Sequence, residues 1–281
     1  MMTLDERIPA LLLPWYAQNR RDLPWRADRA PYHVWLSEIM LQQTRVEAVR
    51  GYYARFLAEL PDIAALAACE ERRLTKLWEG LGYYSRVRNL QKAAQVIVSQ
   101  HGGVFPTDYA AIRALPGVGD YTAGAVASIC FDRPTPAVDG NVLRVLARVT
   151  EDPSPLTKQS DKKSFELLLR PVYEENPGSR GELTQALMEL GACVCVPNGA
   201  PKCALCPLQG FCRAKMNGSW DTLPVKEAKK PRRQEQLTVF FLSCGSRYAV
   251  RRRPDTGLLA GLWELPNTEG TLTAQQALSL L

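Results

Sequence analysis

The sequence predicts a mainly α-helical protein with a short β-rich segment at its C-terminal end, and three observations predict it. Apolar residues recur at three- and four-residue steps in one segment after another between residues 32 and 193, the spacing that lines up one face of a helix. Gly or Pro separates most of those segments, as expected where one helix stops and the next begins. From residue 237 onward the pattern changes to short runs of Val, Phe, Tyr and Leu, which suit a pleated, half-buried strand.

Taken in order, the first apolar run is Ile8-Pro9-Ala10-Leu11-Leu12-Leu13. It is short, follows Asp5 and Glu6, and is interrupted by proline, so it resembles neither a signal peptide nor a membrane span; a cytoplasmic protein with no membrane partner is expected. Over 32–60, Val34, Trp35, Ile39, Leu41, Val46, Val49, Tyr53 and Phe56 predict one long amphipathic helix, with a break expected near Gly51 and an end before Pro61. Similar patterns predict helices over 62–79, 86–100, 107–114, 121–131, 139–150, 161–175 and 181–193, so the first 220 residues read as all-α. The stretch 218–236, with Lys226, Lys229, Lys230, Pro231, Arg232 and Arg233, reads as an exposed linker. Beyond it, Leu237 to Cys244 and Tyr248 to Arg253 flank Gly245-Ser246, which predicts a β-hairpin. About 45 residues are too few for that segment to close its own core, and a truncated second domain is expected.

Composition narrows the class. A chain of 281 residues with 46% hydrophobic and 23% charged residues is a folded globular protein of one large or two ordinary domains. The net charge of +6 suits a polyanionic partner without demanding one. Of eight cysteines, five fall between Cys193 and Cys212, a density that points to metal rather than to disulfides.

Cys203, Cys206 and Cys212 follow C-x2-C-x5-C spacing, and seven residues separate Cys195 from Cys203. Thiolates so spaced converge on one soft centre, either a [4Fe–4S] cluster or tetrahedral zinc. Pro197, Asn198, Gly199, Pro201 and Pro207 make the segment a loop, which argues against four packed core thiols. Cys193 is a rival first ligand, but its helical setting predicts packing; Cys69, Cys130 and Cys244 read as isolated buried thiols. A second motif, Leu115-Pro116-Gly117-Val118-Gly119-Asp120-Tyr121-Thr122, joins two helices. Gly117 and Gly119 would allow positive φ and close approach of a phosphate to free N–H groups, whereas the plainer reading is an inter-helix turn capped by Asp120. Twenty residues on, Asp139 opens Asp139-Gly140-Asn141-Val142 after the Pro134/Pro136 break.

The Leu-Pro-Gly-Val-Gly hairpin, the Val-Asp-Gly-Asn-Val stretch and the cysteine cluster together resemble the endonuclease III superfamily of DNA glycosylases, in the same order over roughly residues 5–220. The resemblance implies a helix-hairpin-helix glycosylase fold: a six-helix barrel over 25–134, a helical domain over 1–24 and 135–217 holding a [4Fe–4S] cluster on Cys195, Cys203, Cys206 and Cys212, a linker over 218–236, and a partial Nudix-like domain over 237–281. The gap between Cys195 and Cys203 is one residue longer than the family's. Strand-cleaving members carry a lysine where this chain has Tyr121, so no Schiff base forms by that route and a monofunctional enzyme is implied. Ser37-Glu38-Ile39-Met40-Leu41-Gln42-Gln43-Thr44 is similar to the adenine DNA glycosylases, which remove adenine mispaired with 8-oxoguanine.

By that resemblance Glu38 protonates adenine at N7, Asp139 stabilises the oxocarbenium-like sugar or bonds to it transiently, and Tyr121 and Asn141 orient sugar and acids, the two-carboxylate logic of glycosidases. Val34, Trp35 and Leu41 around Glu38 place its carboxyl on a largely apolar stripe, which would raise its pKa; a solvated helix-face glutamate is the alternative. Arg26 matches a residue near the adenine pocket, with a surface salt bridge as its other reading. In Gly80-Leu81-Gly82-Tyr83-Tyr84-Ser85-Arg86-Val87-Arg88 the glycines suit a tight loop, the aromatics a wedge between bases and the arginines phosphates. Tyr83 would intercalate beside 8-oxoguanine while Leu81, Gln43 and Thr44 contact that base; core packing is the alternative for Tyr83 and Tyr84. The implied partner is double-stranded DNA with adenine opposite 8-oxoguanine or guanine, met by a nucleoid-associated monomer. Gly257 to Pro266 resembles the start of the domain that senses 8-oxoguanine. Two other readings stand beside this one: an endonuclease III-like lyase for oxidised pyrimidines, and a non-catalytic, zinc-stabilised DNA-binding module.

Overall fold

The computed structural model describes residues 4–155, 159–225, 231, 234–254 and 256–280. The expected linker's Lys226, Lys229, Lys230, Arg232 and Arg233 lie outside the described residues. Two compact units divide between residues 227 and 228.

The first unit is helical: α1 (Leu4–Asn19), α2 (Pro31–Leu41), α3 (Val46–Glu59), α4 (Ile63–Ala68), α5 (Glu71–Leu77), α6 (Ser85–His101), α7 (Tyr109–Arg113), α8 (Asp120–Phe131), α9 (Gly140–Thr150), α10 (Gln159–Glu174), α11 (Arg180–Cys193) and α12 (Arg213–Met216). It encloses two cores. One joins Leu23 and Trp25 to the apolar faces of α2 to α8, with Trp35, Trp78, Phe56 and Leu90 at its centre. The other joins Ile8, Leu12 and Tyr16 of α1 to the apolar faces of α9, α10 and α11 and to Leu208. Helix α11 packs against α8, α9 and α1, so it spans both.

Several starts follow from capping. Asp62, Asp108 and Asp139 each accept hydrogen bonds from backbone N–H groups in the first turn of α4, α7 and α9. The expected long helix over 32–60 is instead two helices, broken at Gln42–Arg45 rather than at Gly51. Gln43 takes φ 56°, and the last carbonyls of α2 are captured by Arg86 from another helix, so a tertiary contact decides where α2 stops. Gly51 lies undisturbed inside α3. Helix α1 forms over the apolar run Ile8 to Leu13 and beyond it, with Pro9 and Pro14 inside it. The 62–79 segment divides into α4 and α5.

The second unit holds three short antiparallel pairs: β1 (Leu237–Val239) with β6 (Asn267–Glu269), β2 (Ser243–Cys244) with β3 (Arg247–Tyr248), and β4 (Arg251–Arg252) with β5 (Trp263–Glu264). The hairpin expected about Gly245-Ser246 is β2–β3. Helix α13 (Ala274–Leu278) opens with a capping box between Thr273 and Gln276. None of this unit's described residues is buried, and Phe241, Tyr248, Leu258 and Trp263 stand exposed. Cys244, expected to be buried, is exposed as well.

Candidate active site

Every residue of α2 from Val34 to Met40 is buried, and Glu38 is the one charged side chain among them. A helix that is apolar nearly all round can bury a carboxyl only if something partners it. The partner is Tyr121 on α8, whose hydroxyl donates to Glu38 Oε2 at 2.5 Å. At 7% exposure the glutamate is no solvated surface group. Burial pushes its carboxyl up to about 7, Tyr121's hydrogen bond pulls against that shift, nearby Asp139 adds to it, and Arg26 opposes it. Glu38 therefore keeps its proton to higher pH than a solvated glutamate does.

Asp139 caps α9 with its side chain. Its Oδ1 accepts from the backbone N–H of Asn141 at 2.9 Å and of Val142 at 2.8 Å, while Asn141 Nδ2 donates to Oδ2 at 2.7 Å. Burial raises this carboxyl above its usual range, and the three donors, with Arg144, work the other way. The donors fix the carboxylate in place at the positive end of a helix. Arg144 Nη2 holds Asn141 Oδ1 at 2.8 Å and the Gly191 carbonyl at 2.9 Å, and its Nε reaches the Cys195 carbonyl at 2.7 Å. Helix α11 comes this close because residue 191 is glycine: a Cβ there would lie 2.6 Å from Asn141 Cβ.

Glu38, Tyr121, Asp139 and Asn141 line one cleft of about 360 Å³, together with Arg26, Gln43 and Thr44. Its rim also carries Glu189, a residue that sequence reasoning passed over. Glu189 is fully buried on α11 and accepts from Arg21 Nε at 2.7 Å and from Arg26 Nη2 at 2.8 Å. Burial opposes its charge, yet the hydrogen bonds from both arginines outweigh it and hold the carboxyl at about 2. Arg26 lines the cleft and pairs with a buried carboxylate, so its salt bridge is an interior one and not the surface pair of its alternative reading. The available signal is an acidic residue inside the apolar run Ala186-Leu187-Met188-Glu189-Leu190.

The hairpin turn between α7 and α8 uses its glycines unequally. Gly117 has φ +74° and a Cβ there would strike Asn89 Cβ at 2.6 Å, whereas Gly119 is extended, with φ −92° and ψ 176°. Positive φ is therefore needed only at Gly117, and the expectation for Gly119 is corrected. Asp120 does not cap α8, which starts at Asp120 with Gly119 before it; its carboxylate meets Arg113 Nε at 2.6 Å.

In the 80–84 loop Tyr83 is 61% exposed and Tyr84 packs against the first core. Core packing thus describes Tyr84 and not Tyr83. Leu81 is buried, at odds with a side chain that contacts a base. Arg86 and Arg88 are not free for phosphates: Arg86 faces inward onto backbone carbonyls and Arg88 pairs with Glu71 at 3.3 Å.

Cys195, Cys203, Cys206 and Cys212 line one small pocket beneath α9. Arg148 Nη1 donates to Cys195 Sγ at 3.3 Å, and the Cys212 thiol donates to the Arg148 carbonyl at 3.4 Å. Burial, with the neighbouring thiols, pushes Cys206 up to about 12. Cys193 is elsewhere, with its thiol 3.7 Å from Glu189 Oε1. Among the described residues no three Cys, His, Asp or Glu side chains form a group that could hold a single metal ion. None of the described helices is long and apolar enough to cross a membrane.

Comparison with known proteins bears on this site. Residues 36–171 match the HhH-GPD superfamily of base excision DNA repair proteins. Adenine DNA glycosylase of Mus musculus is 39% identical over 91% of this chain and 59% of its own length. The adenine DNA glycosylase of Buchnera aphidicola subsp. Schizaphis graminum is 34% identical over 92% of this chain and 74% of its own. The chain thus spans little more than half of its mammalian relatives. Among solved structures, a thermostable thymine-DNA glycosylase superposes with a TM-score of 0.67 at 27% identity, over 76% of this chain and 97% of that one. An endonuclease III–DNA complex, at 22% identity and a TM-score of 0.61 over 77% of this chain and 99% of that one, shares the fold. The chain belongs to the adenine DNA glycosylase family within the HhH-GPD superfamily of base excision DNA repair proteins.

Proposed function

We propose that the chain removes adenine standing opposite 8-oxoguanine or guanine in duplex DNA, breaking the N-glycosidic bond without cutting the strand. The observation that carries this reading is a buried carboxyl at position 38, poised near neutrality, in the same cleft as a second carboxylate at 139. Adenine is a poor leaving group, and its departure develops positive charge on the sugar. Glu38 supplies the proton to N7 of the extruded base, with Tyr121 fixing the other carboxyl oxygen. Asp139, held by the N–H groups of α9, faces the developing charge on the sugar, and Asn141 keeps its second oxygen oriented; solvent water then adds at C1′ and loses a proton, leaving an abasic site. Arg26 and Glu189 shape the wall, and Tyr83 fills the gap left in the stack.

No lysine lines the cleft among the described residues, which disfavours the lyase reading. Cys195, Cys203, Cys206 and Cys212 would hold a [4Fe–4S] cluster: the donors are all thiols, suited to a soft centre, and Arg148 offers an N–H to one sulfur. Such a cluster would cross-link the 195–212 loop beneath α9. A brown protein with broad visible absorption is expected; a colourless one containing zinc would support the DNA-binding module instead. The test of function is a duplex with adenine opposite 8-oxoguanine, incubated with the protein and then heated in alkali. Strand breaks at adenine only after alkali are expected. Breaks without alkali, or none at adenine, would overturn the proposal.

A further inference from the structure

Arg86 is half-buried at the start of α6 and spends its guanidinium entirely on other segments. Nη1 donates to the carbonyls of Ile39 at 2.9 Å, Met40 at 3.1 Å and Gln42 at 2.6 Å, which are acceptors left over at the end of α2. Nη2 donates to the carbonyls of Leu81 at 3.0 Å and Gly82 at 3.3 Å and reaches Thr44 Oγ1 at 3.4 Å. The cation also lies over the Trp78 ring, 5.3 Å from its centroid, and against the Tyr83 ring at 5.6 Å. Its Nε is buried without an acceptor, a cost accepted to keep the two terminal nitrogens where they are.

One of the segments it joins, Gln42–Thr44, lines the cleft, and the other is the 80–83 loop that carries Tyr83. Gln43 has φ 56°. Gly80, Gly82 and Tyr83 have φ 96°, 67° and 48°, so the exposed tyrosine sits in a left-handed conformation that L side chains adopt only at a cost. Local sequence does not favour such backbone at Gln43 or Tyr83; an external clamp must hold it.

Resting on the proposed function above, we infer that Arg86 is a positioning residue, setting the Tyr83 wedge and the Gln42–Thr44 rim at one fixed separation through a single guanidinium. Rim and wedge then meet the opened duplex as one rigid template, and the target base enters the cleft in register with Glu38. Lysine does not substitute, since an ammonium is a point charge and cannot present two parallel rows of donors.

Two readouts test it on the full chain. Without DNA, chymotrypsin is expected to cut after Tyr83 in Arg86→Met under conditions that leave the Tyr83–Tyr84 bond of the wild type uncut, as fragment masses report, with the melting transition otherwise retained. With the adenine·8-oxoguanine duplex, the single-turnover rate is expected to fall about 100-fold, the order a misplacement of about 1 Å produces. The amplitude, which counts active molecules, should stay unchanged, whereas a merely structural defect lowers amplitude and spares the rate. Added to Tyr83→Ala, the substitution should cost little more. Arg86→Lys carries both readouts if the methionine variant fails to fold, and it is expected to recover only part of the rate. An uncut loop, a wild-type rate, a loss confined to amplitude or full rescue by lysine overturns the inference. Should wild-type protein release no adenine, the functional reading fails and the protease result alone decides on Arg86.

Discussion

At position 38 two physical demands conflict, and the conflict is what makes the residue useful. Burial among Trp35, Ser37 and Ile39 favours the neutral acid, while the Tyr121 hydroxyl favours the anion; burial wins and leaves the carboxyl at about 7. Because the shift is upward and the protonated form is the reactive one, the single-turnover rate of base release should fall as pH rises through about 7. A rate that rises across that range would assign the acid to another group. Glu38→Gln should abolish release while duplex binding survives. Tyr121→Phe removes the hydrogen bond that stabilises the anion, so the descending limb should move to higher pH, a sign that a purely structural role for Tyr121 does not predict. The apolar neighbours of Glu38 were legible as a stripe at helical spacing; Tyr121 as its donor was legible only through resemblance, since residues 83 positions apart have no local pattern to join them.

At the scale of elements, most helices were legible because their apolar faces repeat at helical spacing and Asp or Gly marks their ends. The break after α2 was not, because Arg86 arrives from α6 and no residue within 32–60 announces it. Glu189 was equally hidden: its two arginines come from the segment after α1, more than 160 positions away. The N-terminus of α9 is the element on which the site depends most, and α11 reaches it through Gly191. Gly191→Ala should push Asn141 and with it Asp139, costing about 1–3 kcal/mol of stability as overpacking does. Thermal melting with single-turnover kinetics checks it; unchanged values in both would show that the contact has slack. Glu189 ties that same helix to Arg21 and Arg26. Its carboxyl is depressed to about 2, so its contribution is present in full above pH 4.5 and is lost as pH falls toward 2. The shift from 4.5 to about 2 is at most about 3 kcal/mol, and Glu189→Gln should flatten the acid side of the stability curve by that order.

For the whole molecule, the distribution of buried side chains separates what folds from what assists. Both cores belong to the first unit, and the cleft lies wholly within it. The second unit pairs its strands two or three residues at a time and buries none of its described residues. Strand pairs so short contribute little without a shared apolar face. Removing residues 228–281 should therefore leave the melting temperature within a few degrees of the intact chain, since a shift of about 2–4 °C accompanies each kcal/mol for a protein of this size. Adenine release should persist, because Glu38, Tyr121, Asp139 and Asn141 and every side chain that holds them are retained. What the shortened chain should lose, if anything, is preference for 8-oxoguanine over guanine opposite the adenine, since residues 257–266 resemble the start of a lesion-sensing domain. Paired duplexes differing only in that base measure it. A collapse of catalysis on both duplexes, with the melting temperature unchanged, would mean that the second unit supplies a group to the chemistry and that the cleft alone is not the active site.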